Sequence, residues 1–209
     1  MSKINIKALF SVTLRQALPY ILIVCGIIGL LASFDLTYEK IQVLENPHHV
    51  PACSLNPIIS CGSVMNAAQS NFLGIPNTVF GLIAFSMLVA FGFMLLAAED
   101  MKFKRWLWVC AQLAATGGVL GAHYLIYQSV FNIHAICPWC FVTWLVTFLV
   151  FWATTIYNLQ EGNFGKWHRY LNIIGDTVQE NALSLLALWY LVIFGLLLVK
   201  FWYYWSTLI

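Results

Sequence analysis

From Trp106 to Gln160 the chain reads WLWVCAQLAATGGVLGAHYLIYQSVFNIHAICPWCFVTWLVTFLVFWATTIYNLQ, without a single Asp, Glu, Lys or Arg. A bilayer crossing takes about 20 apolar residues, so this stretch holds two. We read them as spans at about 106–128 and 137–158, joined by a short turn around Phe131–Ala135. Similar charge gaps lie on either side. Arg15 and Asp35 bound a first span at about 16–34, the gap from Glu45 to Glu99 ends in a second at 76–98, and Glu180 and Lys200 bound a fifth. Helices follow because backbone polar groups in hydrocarbon must be satisfied within the segment, and strand-like alternation is missing. The expected fold is an all-α integral membrane protein. It has a core unit at 1–160 carrying a four-helix bundle and an external loop at 35–75, then a cytoplasmic linker and fifth helix at 161–209.

Composition agrees. Of 209 residues 61% are hydrophobic and 9% charged, against about 25% charged in soluble domains. Intrinsic disorder needs the opposite balance, and a net charge of +2 offers no field for nucleic acid. Nine Trp, nine Tyr and fifteen Phe suit interfacial anchoring. Lys3, Lys7, Arg15, Lys102, Lys104, Arg105, Lys166 and Arg169 fall on one side, and only Lys40 and Lys200 on the other. The basic side is cytoplasmic by the positive-inside rule, which puts the C-terminus and the loop 35–75 outside. A cleaved leader is the rival reading of the first span, disfavoured because its apolar stretch outruns a signal-peptide core.

The external loop contains Pro47, Pro51, Pro57 and Gly62, so it is not one helix. Ser63–Phe72 is expected to form a short interfacial helix, and Pro76 to start the next span. Of six cysteines, Cys25 and Cys110 lie within spans and are read as small packing residues. The other four, Cys53, Cys61, Cys137 and Cys140, all face the side where disulfides persist. In Cys137-Pro138-Trp139-Cys140, Pro138 fits a first helical turn. Cys137 then stands at a helix start, where the dipole favours thiolate, and residues three apart can close a disulfide. Cys53 and Cys61 are eight apart with an Asn56-Pro57 turn between, a spacing suited to a mobile loop disulfide that exchanges with a partner. A static loop disulfide, or four thiols binding zinc or copper(I), are the alternatives.

This constellation resembles the vitamin K epoxide reductase family. The likeness rests on the C-x7-C loop pair, Thr37-Tyr38, Ile59-Ser60-Cys61 with Val64, Gly74-Ile75-Pro76, Asn77 with Phe80-Gly81, and the later C-x-x-C, and spans about Gly26 to Tyr157. The resemblance implies four helices around a quinone, ubiquinone or menaquinone, with the loop as its cap. Cys53 would exchange with a thioredoxin-like partner, and Cys61 would attack a Cys137–Cys140 disulfide at Cys137. Cys140 would be the thiolate facing the ring. Asn77 would hydrogen-bond a quinone carbonyl, with Phe80, Trp144 and Met65 as further quinone-binding residues and no metal required.

Two positions depart from the family pattern. Trp144 replaces a tyrosine found in animal members and can donate but not accept a hydrogen bond; Ala67 replaces a common serine. Bacterial members resemble DsbB in oxidising a periplasmic DsbA-like protein at the expense of the membrane quinone pool. With the sequence ending at Ile209, that partner is expected to be a separate protein and the membrane the bacterial inner one. The resemblance thus implies a quinone-dependent thiol oxidoreductase that makes disulfides. A reductase valued for its quinol, or a non-enzymatic metal-handling protein, are the competing readings. Among the remaining residues, His134 reads as an interfacial loop histidine, with proton transfer to the quinone or support of a thiolate as the alternative, His48-His49 as solvated loop residues and His123 as a hydrogen-bonded core residue. Gly117, Gly118 and Gly121 read as a helix-packing step, and 201–205 as an aromatic interface belt.

Overall fold

The computed structural model describes residues 6–72, 74–98, 103–165 and 178–206. Lys3, Lys102, Lys166, Arg169 and most of the linker after the fourth span lie outside the described residues.

The first helix, α1, runs Ile6–Glu45 with Pro19 inside it. At 1.5 Å per residue it is about 60 Å long, roughly twice the hydrocarbon thickness. The span expected at 16–34 is therefore the middle of a longer helix, and the loop expected from residue 35 opens as helix. Charge at Asp35, Glu39 and Lys40 ends the apolar segment but not the helix, because neither Pro nor Gly occurs between Asp35 and Pro47.

Beyond α1 the loop leads into a short helix α2, Cys61–Asn66, and a single turn at Ala68–Ser70. The interfacial helix expected at Ser63–Phe72 thus starts earlier and stops at Asn66. Its last residues form a two-stranded antiparallel hairpin instead, β1 (Asn71–Phe72) with β2 (Ile75–Pro76). Gly74 supplies the positive φ of 79° that the turn demands.

Four further long helices follow: α3 (Asn77–Ala97), α4 (Arg105–Tyr127), α5 (Pro138–Gln160) and α6 (Ala182–Lys200), then a single turn α7 (Trp202–Trp205). Among the described residues five helices are long and apolar enough to cross a membrane; the protein is an all-α, multi-pass membrane protein. Large apolar side chains such as Leu31, Met87, Leu120 and Leu191 point outward, as a lipid-facing surface requires.

Helix α1 packs along α3 and α5, while α4 and α6 pack against α5. Small residues set the α1–α3 seam. A Cβ on Gly29 would stand 2.4 Å from the Phe85 ring, and one on Gly81 2.5 Å from the Ser33 hydroxyl. The packing step read at Gly117, Gly118 and Gly121 is corrected here: Gly117 and Gly121 face open space, and only Gly118 approaches a neighbour, Thr147. Around α5 two apolar cores form, one with α1, α3 and α4 through Leu22, Phe85, Trp108 and Val150. The other, with α4 and α6, is built through Val119, Phe148, Ile193 and Phe201. Phe201, read as part of the interface belt, belongs to this second core, whereas Trp202 and Tyr203 are exposed. Cys25 is buried as expected; Cys110 is exposed on α4.

His123 is hydrogen-bonded, but on the flank of the four-helix unit rather than inside it. Its Nδ1 pairs with Val119 O (2.9 Å) and its Nε2 accepts from Trp189 Nε1 (3.2 Å), which fastens α6 to α4.

Candidate functional site

The site begins with a turn. Asn56 Oδ1 accepts from the N–H groups of Ile58 (3.0 Å) and Ile59 (2.7 Å), and Leu55 N–H returns to Ile59 O (2.9 Å). The asparagine side chain substitutes for a backbone turn, as asparagine does beside proline. Leaving the turn, Ile59 forms a parallel bridge with Ile136. Ile136 N–H donates to Ile58 O (2.7 Å), and Ser60 N–H donates to Ile136 O (3.0 Å). Ser60 then caps α2, its Oγ accepting from Ser63 N–H (3.1 Å). This bridge sets the register of two distant segments, so that Cys61 and Cys137 come together.

Cys53 and Cys61 form a disulfide with Cα atoms 5.6 Å apart, within the range such a bond spans. Cys137 and Cys140 are free thiols. Cys137 is the N-cap of α5 with Pro138 in the first turn, as the motif predicts, and its sulfur accepts from Cys140 N–H (3.4 Å). Its Sγ lies 3.2 Å from Cys61 Sγ. A thiol donates to Cys137 from Cys140, and this bond is the main reason the Cys137 thiol is held below its ordinary value of 9.0. Burial opposes the shift, the N–H groups of Cys140 and Trp139 assist it, and the Asp35 carboxylate opposes it. Cys61 and Cys137 are both almost fully buried, and with Leu36 and Met65 they form a small core of their own.

Behind the sulfurs lies a cavity of about 60 Å³. Its apolar wall comprises Leu36, Val64, Met65, Leu125, Ile133 and Trp144; its polar wall comprises Gln69, Ser70, Asn77, Thr78, Gln128 and Ser129. Three of the four non-cysteine residues expected from sequence are therefore on it: Asn77, Met65 and Trp144. Phe80 is not; it is 41% exposed and packs edge-on against Phe72 on the hairpin. Asn77 opens α3 and donates one amide N–H to Gln69 O (2.8 Å).

Sequence reasoning missed Thr78, whose buried hydroxyl has no hydrogen-bond partner, and Gln128 and Ser129. The last two lie on a six-residue π-helical turn, Gln128–Ile133, where a plain connection was expected. Such turns often mark functional sites, and the left-handed His134 (φ 57°) closes it. No local pattern marks a π turn. Thr78 had a signal, its position next to Asn77, but its isolation depends on what α3 packs against.

Two larger cavities contain no thiol. One of about 400 Å³ lies between α5 and α6 and shares Trp144 with the cavity behind the sulfurs; another of about 970 Å³ lies around Arg15, Trp108 and Glu161. His134 is exposed and off the cavity wall, in keeping with its reading as a loop residue. His49, expected to be solvated, instead pairs with the buried Glu39. Among the described residues, no three His, Cys, Asp or Glu side chains converge as metal ligands. Compared with known protein families, the chain matches the vitamin K epoxide reductase family over residues 20–155, a segment containing Cys53, Cys61, Cys137, Cys140 and the whole cavity wall.

Proposed function

The chain belongs to the vitamin K epoxide reductase family, whose members are in general membrane, quinone-linked thiol oxidoreductases, and from that premise we propose how it works. It takes two electrons from a separate thioredoxin-fold, DsbA-like protein at Cys53, relays them through Cys61, Cys137 and Cys140 to a membrane quinone, and leaves a disulfide in the partner. The contact of 3.2 Å between Cys61 Sγ and Cys137 Sγ carries this reading: thiol–disulfide exchange needs an attacking sulfur next to the sulfur attacked.

The exchange balances step by step. A partner thiolate attacks Cys53, Cys61 leaves, and the partner's second thiol closes its own disulfide while Cys53 departs. Cys61 then attacks the Cys137–Cys140 disulfide at Cys137, releasing Cys140. Cys53 attacks Cys61, expelling Cys137 and restoring the outer disulfide. The bonding pattern observed, an outer disulfide above an inner dithiol, is the product of that last step. The lowered pKa of Cys137 speeds its departure, since a leaving thiol of lower pKa leaves faster.

A quinone, when bound, takes up two electrons and two protons as Cys137 and Cys140 close. The donor set fits such a ring: apolar faces from Leu36 and Trp144, amides from Asn77 and Gln128, and the unpaired Thr78 hydroxyl, which needs an acceptor. The indole of Trp144 serves as a donor where a phenol would both donate and accept. At about 60 Å³ the cavity is smaller than a ring-sized ligand, so binding moves wall side chains, and flexible Met65 is suited to yield. Arg and Lys bias supports placing the cysteines on the external face of the membrane, which on this reading is a bacterial inner membrane.

The test is quinol formation by the purified protein supplied with reduced partner and quinone. Wild type is expected to turn over and Cys137→Ala and Cys140→Ala to be inactive. A partner retaining one active-site cysteine should form a stable adduct with wild type and none with Cys53→Ala. Quinol formation by either inner-pair variant overturns the proposal.

A further inference from the structure

Glu39 and Lys40 are neighbours on the part of α1 that extends beyond the apolar span, yet they hold opposite flanks of the cysteine loop. Glu39 is only 7% exposed. One carboxylate oxygen pairs with His49 Nε2 at 2.8 Å, and the other accepts from the N–H of Ala52 at 3.3 Å. Ala52 immediately precedes Cys53. Lys40 Nζ donates to Met65 O at 2.7 Å, on the short helix that Cys61 opens; the Ser70 hydroxyl donates to the same carbonyl. Neither charged side chain lines the redox cavity.

A carboxylate withdrawn from water is tolerated only when paired and hydrogen-bonded. Here its partners are two points on the segment leading to Cys53. Cys53 is half-buried in its seat, so movement of that segment opens it further to an external dithiol, whereas Cys61, fully buried, must keep its seat against Cys137. A single rigid anchor could not serve both demands. Two anchors on adjacent residues of one stiff helix can.

We propose that Glu39 and Lys40 are positioning residues that clamp the two flanks of the Cys53–Cys61 loop separately. Glu39 governs how readily Cys53 is released toward a dithiol. Lys40 governs how well Cys61 is held against Cys137. The proposal rests on the loop being the electron carrier, not on the identity of the final acceptor.

The experiment uses the full-length protein without quinone and has two readouts. The first is the rate at which dithiothreitol reduces the Cys53–Cys61 disulfide. The second is the yield of a Cys61–Cys137 disulfide under oxidised glutathione in a Cys53→Ala/Cys140→Ala background. Glu39→Ala is expected to raise the first about tenfold, the loss of hydrogen bonds to a charged group, while leaving the second within about twofold. Lys40→Met is expected to lower the second about tenfold and leave the first within about twofold. Glu39→Gln keeps an acceptor for Ala52 N–H and should return the first readout toward wild type. If both variants move both readouts together, or neither moves either, the separate clamp is wrong. If wild-type geometry yields no Cys61–Cys137 disulfide at all, the carrier reading of the loop falls first and takes the clamp with it.

Discussion

Cys137 concentrates the chemistry of the site. It is almost fully buried, caps α5, touches Cys61 and receives a hydrogen bond from Cys140. Because that bond is the largest influence lowering its pKa, the thiolate persists to lower pH than an ordinary thiol, and is lost only as pH falls through the depressed value. In the quinone-free protein the alkylation rate of Cys137 should therefore reach its midpoint below the ordinary value of 9.0. Cys140→Ala removes the donor and should move the midpoint upward. An unchanged midpoint in that variant would mean that the helix start alone, not Cys140, sets the acidity. Much of this residue's role was legible in the C-P-W-C spelling, since Pro in a first turn and a thiol before it are local features. That its thiol would lie against Cys61, 76 positions away, no local pattern showed; only the family resemblance implied it.

At the level of elements, the loop is held by local turn chemistry on one side and a backbone bridge on the other. Asn56 organises the turn with two accepted hydrogen bonds, and the Ile59–Ile136 bridge passes that order on to the cysteines. Replacing Asn56 with Ala should slow Cys61–Cys137 disulfide formation by about fivefold, roughly the worth of one net hydrogen bond, while Asn56→Asp, which keeps the acceptor, should stay close to wild type. Equal losses in the two variants would show that the turn does not depend on the acceptor. The Asn-Pro pair announced a turn in the sequence. The bridge did not announce itself, because a single pair of residues has no periodicity to read. The same limit explains α1. Charge marked the end of the apolar stretch near residue 34, but helix continuation to Glu45 depends on backbone propensity and the absence of breakers.

For the molecule as a whole, the bundle's tightest seam is α1 against α3. A methyl group at Gly29 meets the Phe85 ring at 2.4 Å, in a buried core. Gly29→Ala should lower stability by about 1–3 kcal/mol, the usual cost of overpacking, whereas Gly117→Ala, which faces open space, should be tolerated. Thermal unfolding of the two variants in detergent tests this, and equal midpoints would contradict the seam. The glycines that matter were not the ones whose spacing looked like a packing motif. Spacing places residues on one face of a helix; it does not say whether that face meets a neighbour or lipid. Helix α6 lies outside the family match at 20–155, and its attachment through Trp189 and His123 likewise had no sequence pattern to betray it.

The amino-acid sequence by itself determined the membrane class, the five spans, the grouping of four cysteines at one end and the helix start at Cys137. Each of these depends on residues close together in the chain: apolar length, charge gaps, a proline in a first turn. Tertiary structure decided what lies against what. It brought Cys61 to Cys137, isolated the Thr78 hydroxyl, left Phe80 outside the cavity and turned His49 from a solvated residue into the partner of buried Glu39. Those outcomes depend on contacts between segments far apart in sequence, where burial and a few backbone hydrogen bonds choose among arrangements that local pattern leaves equal.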